Sequence, residues 1–330
     1  MDLELLKERA RIIRLVRSFF DSREYLETDT PLLAPNLIPE SCLEVFQTKR
    51  LFPIGSSKPD KPYWLIPSPE IWMKQLIARH QTNIYQICKC FRNGESSGQK
   101  HSPEFTMLEY YTMNAGYLDS LQITEELFDY LLSSVNTPDS NVLTDLSPPF
   151  INVTLEEAFK RWAGFDLYKA AATPGLMEKE ARRLGLNPPQ GLSVHGLYDL
   201  IFIHAVEPNL TMERPVALLD YPSFVPCLAK KGKDGKTVER WELYARGIEL
   251  ANCFSEETNG EKIRIFFESE KEAKRENALV PHNVDDDYWK AFSTGKGFPP
   301  CSGVAMGLDR LIMLLCGRST IDGVLPFPML

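Results

Sequence analysis

Strand-like runs recur on both sides of a helical middle, and several lie only a few residues apart. They cover Leu43–Thr48, Tyr63–Ile66, Asn83–Phe91, Glu104–Thr112, Pro215–Tyr221, Arg240–Asn252 and Ser302–Met306. Parallel pairing needs a crossover of about a dozen residues or more, so such short separations predict a mainly antiparallel sheet. The fold class that follows is α+β, an antiparallel sheet flanked by helices. In front of the strands, Leu3, Leu6, Ala10, Ile13, Val16 and Phe20 recur three or four residues apart and predict an amphipathic helix over 2–24. An extended exit follows through Thr30 and Pro31.

The middle reads as helical. Thr154-Leu-Glu-Glu157 has the form of a capping box opening a helix to about Trp162. Leu176–Leu184 is stopped by Gly185, and Leu197–Glu207 ends before Pro208. With strand runs on either side, residues 116–210 are expected to form a helical insertion within one domain spanning 1–330. Lys230–Lys236 carries Asp-Gly and suits a hairpin turn. Its GxxGKT spacing lacks the four residues that a phosphate loop needs between its glycines.

The chain's 330 residues, 43% apolar and 25% charged, are enough for one large core or two modest ones. The longest apolar stretches, such as Leu311–Cys316, fall far short of the roughly 20 residues of a bilayer span, so no membrane partner is expected. The N-terminal residues carry charges from Asp2 onward without a signal-like apolar core, and a cytoplasmic location is expected. Seven cysteines without a CxxC pair fit a reducing compartment, and five histidines without HExxH make a zinc site unexpected. Cys88 and Cys90, two apart, point to one face of a strand and read as packing. A net charge of −8 argues against a surface that wraps nucleic acid.

Chemistry concentrates in three stretches. Phe91-Arg92-Asn93-Gly94-Glu95 is a polar loop, followed by an alternating strand that runs from His101, Ser102 and Glu104 through Phe105 to Glu109 and Tyr111. An Arg closing a buried strand beside a loop with a His suits a phosphate chain, whereas the plainer reading is an Arg92–Glu109 ion pair across two strands. Glu242, Glu249 and Glu256 lie near an otherwise apolar strand beside Leu243 and Asn252, and carboxylates there need cations. Mg²⁺ on nucleotide phosphates would balance one or two of them, and a substrate ammonium another. Gly307-Leu-Asp-Arg310 opens an apolar helix with an Arg in its first turn, a second anion site.

Together, the N-terminal helix with Thr30-Pro31, the FRN and HSPEFTMLEYY stretches and GLDR resemble the three signature motifs of class II aminoacyl-tRNA synthetases, over nearly the whole chain. Arg246–Asn252 and Phe254-Ser-Glu256 narrow the resemblance to the lysyl branch. The motifs begin at the first residues of the sequence, and no anticodon-binding barrel is expected before them. The chain is therefore similar to the free-standing lysyl-synthetase paralogues that attach lysine or β-lysine to a lysine side chain of translation elongation factor P. Ser68-Pro-Glu70, Val206-Glu-Pro208 and Ala305, where tRNA-charging lysyl enzymes usually have Gly, add to the likeness.

The resemblance implies a homodimeric, AMP-forming ligase that uses ATP and Mg²⁺, with tRNA not expected as a partner. It implies that Arg92 holds the α-phosphate and the substrate carboxylate, that Phe105 stacks on adenine, and that His101 and Arg310 meet the outer phosphates. Asn93, Gly94, Glu95, Ser102, Leu243 and Gly307 would complete the ATP contacts. Glu242 and Glu249 would hold Mg²⁺, with Glu249 also at the substrate. Ser68 and Glu70 would receive the backbone-side amine, Tyr111, Asn252 and Glu256 the terminal ammonium, and Ala305 would lie along the substrate stem. Departures from the family pattern are Gly94 in place of Glu in a loop one residue longer, Ser102 for Asn, Cys253 for Gly, and Glu24 for Gly. Two other readings are a minimal enzyme charging tRNA or a small acceptor, and a non-catalytic amino-acid-binding regulator; intact Arg92, Glu242, Glu249 and Arg310 argue against the latter.

Overall fold

Asp2 caps the first helix, Leu3–Asp21, by accepting from the backbone N–H groups of Glu4 and Leu5. Its buried residues are Leu5, Ile12, Val16, Phe19 and Phe20, so the face turned inward is rotated from the expected one, and Leu3 is exposed. The doublets Ile12-Ile13 and Phe19-Phe20 offer two registers at helical spacing, and a second contact selects between them. Arg9 donates to Thr106 Oγ1 at 2.9 Å and pairs with Asp309 at 2.6 Å, while Asp309 also accepts from the Thr106 N–H at 2.6 Å. Three residues past the helix, Glu24 stands at φ 61°, a left-handed conformation that favours glycine.

The structure is a computed structural model that describes residues 2–94, 98–135, 145–210, 213–293, 295 and 297–327. The chain divides into two compact units, Met1–Ala115 with Glu257–Leu330, and Gly116–Glu256. The first unit carries β1 (Leu26–Glu27), β2 (Leu33–Ala34), β3 (Gln47–Arg50), β4 (Lys61–Leu65), β5 (Ile84–Phe91) and β6 (Glu104–Met113), with β11 (Cys301–Gly307) near its C-terminal end. β5 pairs parallel with β1 and antiparallel with β6, which pairs antiparallel with β11. β4 lies between β2 and β3 in a small antiparallel sheet. Phe20 stacks on Tyr85 at 4.9 Å, beside Tyr25 and Tyr110. The strand expected over 43–48 is displaced to β3, because Glu44 is drawn into backbone pairing with Asn93.

The second unit contains β7 (Ile151–Thr154), β8 (Val216–Pro222), β9 (Thr237–Ala245) and β10 (Ile248–Ser255). β7 is parallel to β8, and the β8–β9 and β9–β10 pairs are antiparallel. The run read as one strand over 240–252 is thus a hairpin. Arg246 and Gly247 turn it with φ 50° and 68°, the paired positive angles of a primed two-residue turn. The capping box at Thr154 and Glu157 is formed, and the helix it opens passes from Leu155–Ala158 into a wider turn over Phe159–Ala163. Leu176–Arg183 is helical, whereas the helix expected over 197–207 begins at Val194 and continues past Pro208. Pro208 stands at the start of a new turn, where its missing N–H costs nothing.

At the expected hairpin turn, Gly232 donates to the Thr237 carbonyl, and Asp234 accepts from the N–H groups of Lys236 and Thr237. Those N–H groups are spent internally, as a turn requires and a phosphate cradle does not. No described helix is long and apolar enough to cross a membrane.

Candidate active site

In the first unit the alternation of β6 puts Phe105, Met107, Glu109 and Tyr111 on one face. The ladder sets Cys90 opposite Phe105, Cys88 opposite Met107 and Gln86 opposite Glu109 on one side. On the other side it sets Gly307 opposite Met107, Ala305 opposite Glu109 and Gly303 opposite Tyr111. These three β11 residues, none larger than Ala, set little side-chain bulk beside the carboxylate and the phenol. Arg92 follows β5, anchored by its N–H to the Pro103 carbonyl at 3.0 Å, and its guanidinium stands 5.4 Å from the Phe105 ring centre.

Glu109 is 2% exposed. Its Oε1 accepts the Tyr111 hydroxyl at 2.7 Å, and its Oε2 is buried with no hydrogen-bond partner. Burial holds its carboxyl well above the ordinary range, and the nearby Glu70 charge adds to this, while the Tyr111 hydroxyl and Lys74 oppose. Glu70 opens the helix Glu70–His80 directly after Ser68 and Pro69, and pairs with buried Lys74 at 2.5 Å. Glu40 joins this group: burial and Glu70 push its carboxyl up to about 7 against the pull of Arg92, Lys274 and Lys74.

The loop that carries Glu40 is braced from the helix Gly260–Asn277, whose Lys274 ammonium donates to the Glu40 and Leu43 carbonyls. Glu44 accepts from the Leu279 and Val280 N–H groups, and its carbonyl receives the Asn93 N–H at 2.9 Å. Asn93 also reaches the Val45 carbonyl, and Gly94 follows at φ 70°, which explains why Gly suits that position. His101 closes a short turn with Gly98, and Ser102 is buried. Gly307 caps the helix Leu308–Leu315, and Arg310 Nε donates to the Lys100 carbonyl at 3.3 Å. Glu95 lies outside the described residues.

In the second unit Arg240, Glu242 and Tyr244 share one face of β9, and β10 sets Asn252 opposite Glu242 and Glu249 opposite Tyr244. The cation that balances Glu242 is Arg240, at 2.6 Å; its Nε donates to Asn252 Oδ1 at 3.0 Å. Glu242 Oε2 accepts the hydroxyls of Tyr221 at 2.6 Å and Tyr244 at 2.9 Å. Leu243 turns its side chain to the opposite face, fully buried. Glu256 is buried and its backbone pairs with Ala229. Glu242 and Glu249 share one face, but both Glu242 oxygens are engaged by Arg240, Tyr221 and Tyr244, and no group of three or more His, Cys, Asp or Glu among the described residues is placed to hold a metal. A Mg²⁺ held by these two carboxylates would have to displace Arg240 from Glu242 and take waters and phosphate oxygens as its other ligands.

Residues 3–330 match the family described as tRNA synthetases class II (D, K and N). The chain belongs to this family. Among its relatives is an elongation factor P--(R)-beta-lysine ligase of Avibacterium paragallinarum, 35% identical over 326 residues, covering 98% of this chain and 95% of the relative. Proteins of the same name from Haemophilus ducreyi and Proteus mirabilis are each 33% identical over 98% of this chain and 94% of their own length. The family's α+β catalytic fold is the one that the antiparallel pairs and flanking helices build.

Arg240, Glu40, Lys74 and Lys274 were not among the residues expected at a site. Arg240 had a usable signal, since it stands two residues before Glu242 on a strand and must share its face. Lys74 had one as well, four residues after Glu70 on the same helix, whereas Glu40 and Lys274 come from separate segments and carried none. The sequence offers Glu109 only as a partner for Arg92, whereas the structure gives it Tyr111 and Ala305 as neighbours.

Proposed function

We propose that this chain is an ATP-dependent ligase that activates β-lysine, and more weakly α-lysine, as an aminoacyl-adenylate and passes the acyl group to a lysine side chain of elongation factor P. The observation that carries the reading is the cluster on the β6 face: a phenol and a buried carboxylate with an unfilled oxygen lie beside β11 residues no larger than Ala. A cationic amino acid fits there because its ammonium, set against the unfilled Glu109 oxygen, would favour the charge that burial disfavours, whereas a neutral side chain would leave that oxygen unpaired. The relatives' shared name supports the acceptor and the isomer.

The substrate carboxylate attacks the α-phosphorus, pyrophosphate leaves, and an acceptor amine then takes the acyl group with release of AMP. In the first unit Arg92 neutralises the α-phosphate and orients the carboxylate, Phe105 holds adenine, and His101 and Arg310 take the outer phosphates, with Asn93, Gly94, Glu95, Ser102 and Gly307 around the nucleotide. Ser68 and Glu70 receive the backbone-side amine, so Glu70 exchanges Lys74 for substrate. The terminal ammonium is assigned to Tyr111 beside Glu109. In the second unit Glu242 and Glu249 would hold Mg²⁺, which would supply charge neutralisation at the phosphates, and Asn252 and Glu256 are assigned to a substrate ammonium. Catalysis is alignment and electrostatics. The proposed assembly is a cytoplasmic homodimer, from the likeness of the N-terminal helix to the family's dimerisation motif. ATP–pyrophosphate exchange tests activation: stimulation by β-lysine above α-lysine is expected, and exchange that ignores every lysine isomer would remove the proposal.

A further inference from the structure

Cys88 and Cys90 take no part in the scheme above, yet they lie on the same face as Phe105 and Glu109. Their sulfurs are 3.8 Å apart. Cys90 is fully buried, while Cys88 is partly open to solvent. Either thiol can donate in this contact; with Cys90 as the donor, the bond lowers the Cys88 pKa against the opposing effect of burial, while burial, the same bond and the Cys88 charge raise that of Cys90. One thiol is thus reachable and drawn toward the thiolate, with a second thiol held against it. Cys42 is more exposed, but burial of its sulfur and the charges of Glu40 and Glu270 push its pKa up to about 11.

We propose that Cys88 and Cys90 are a peroxide-sensitive pair that closes into a reversible disulfide and switches off the β6 face beside it. In the first step the Cys88 thiolate attacks one peroxide oxygen: an S–O bond forms, the O–O bond breaks, and the departing hydroxide is protonated to water. Cys90 then loses its proton and attacks the Cys88 sulfur, so that an S–S bond forms, the S–O bond breaks and a second water leaves. The two sulfurs together lose two electrons and the peroxide gains them.

Geometry makes the product strained. Two residues along a strand advance about 6.6 Å, at the long end of the 4.4–6.8 Å range that disulfides span between Cα atoms. Strained bridges are readily reduced, so a cellular dithiol reverses the change. Closing the bridge pulls together the two β5 residues that face Phe105 and Met107 across the ladder. On its β1 side β5 is paired only at Ile84 and Tyr85, so a pull at Cys88 and Cys90 is passed to β6, with which both residues are paired.

The effect on activity rests on the proposed function, but the chemistry does not. The full-length protein is treated with stoichiometric hydrogen peroxide, its remaining thiols are alkylated, and it is mapped by mass spectrometry; β-lysine-dependent pyrophosphate exchange is read in parallel. The expected result is a loss of about 2 Da on the peptide holding Cys88 and Cys90 before Cys42 reacts. Exchange should fall at least ten-fold and return with dithiothreitol. Cys90→Ser should stop at a sulfenic acid on Cys88, and Cys88→Ser should keep its exchange rate under peroxide. Oxidation of Cys42 with both Cys88 and Cys90 still alkylated would overturn the proposal, as would equal inactivation of the parent and Cys88→Ser. Should the reduced parent show no exchange with any lysine isomer, the proposed function fails, and the mapped bridge alone decides the thiol chemistry.

Discussion

Replacing Arg240 by Met leaves the Glu242 carboxylate, 12% exposed, without its cation. Arg240 contributes the 2.6 Å pair with Glu242, a 3.0 Å bond to Asn252, and a guanidinium 4.5 Å from the Tyr221 ring centre. Removing one member of a buried pair costs about 3–5 kcal/mol, because the other charge stays behind. Glu242 would keep the Tyr221 and Tyr244 hydroxyls at 2.6 and 2.9 Å, which places the cost at the low end, about 3 kcal/mol. Met preserves the aliphatic stem, so little of this is lost packing. Urea unfolding at neutral pH followed by circular dichroism measures it. If the stranded charge is the cause, adding Glu242→Gln to Arg240→Met should recover part of the loss, with a coupling of about 1.5 kcal/mol or more. A single variant within about 1 kcal/mol of the parent, together with additive effects in the double variant, would refute the reasoning.

Glu249→Gln should abolish pyrophosphate exchange at an unchanged urea midpoint, since it removes a metal-binding charge at constant volume; normal exchange would take Glu249 out of the site. Because the Glu40 carboxyl is raised from 4.5 to about 7, the folded state keeps a proton that the unfolded chain has lost between those values. Stability should therefore fall as pH rises through that window and level off above it; Glu40→Gln should flatten the slope, as read from urea midpoints across the range. Ala305→Gly should shift the ratio of kcat/KM toward α-lysine, by an amount set by one methyl, about 1–3 kcal/mol; an unchanged ratio would leave Ala305 as packing.

The strands that carry the motifs were legible because β5 and β6 are long and bounded by clear turns. β1 and β2, at two residues each, are below what periodicity can register, and they exist because neighbouring backbone is in place to pair with them. The β9–β10 hairpin was hidden because Arg246 supplies a positive φ that sequence reading expects of Gly, Asn or Asp. Candidate site residues such as Arg92, Glu242 and Tyr111 stand out through chemistry and family likeness. Their partners do not, because the contact of Glu109 with Ala305 and of Lys274 with the Glu40 loop joins segments far apart in the chain. Such pairings are set by register and tertiary packing, which one sequence does not display.

The central claim is transfer of a lysine isomer to a protein amine, and the mass of the acceptor tests it most directly. Purified elongation factor P is incubated with this protein, ATP, Mg²⁺ and β-lysine, and its intact mass and peptide map are recorded. The account predicts one added lysyl unit on a single lysine side chain, formed faster with β-lysine than with α-lysine and absent without ATP. An unmodified acceptor, alongside active pyrophosphate exchange or lysine appearing on RNA, would contradict it.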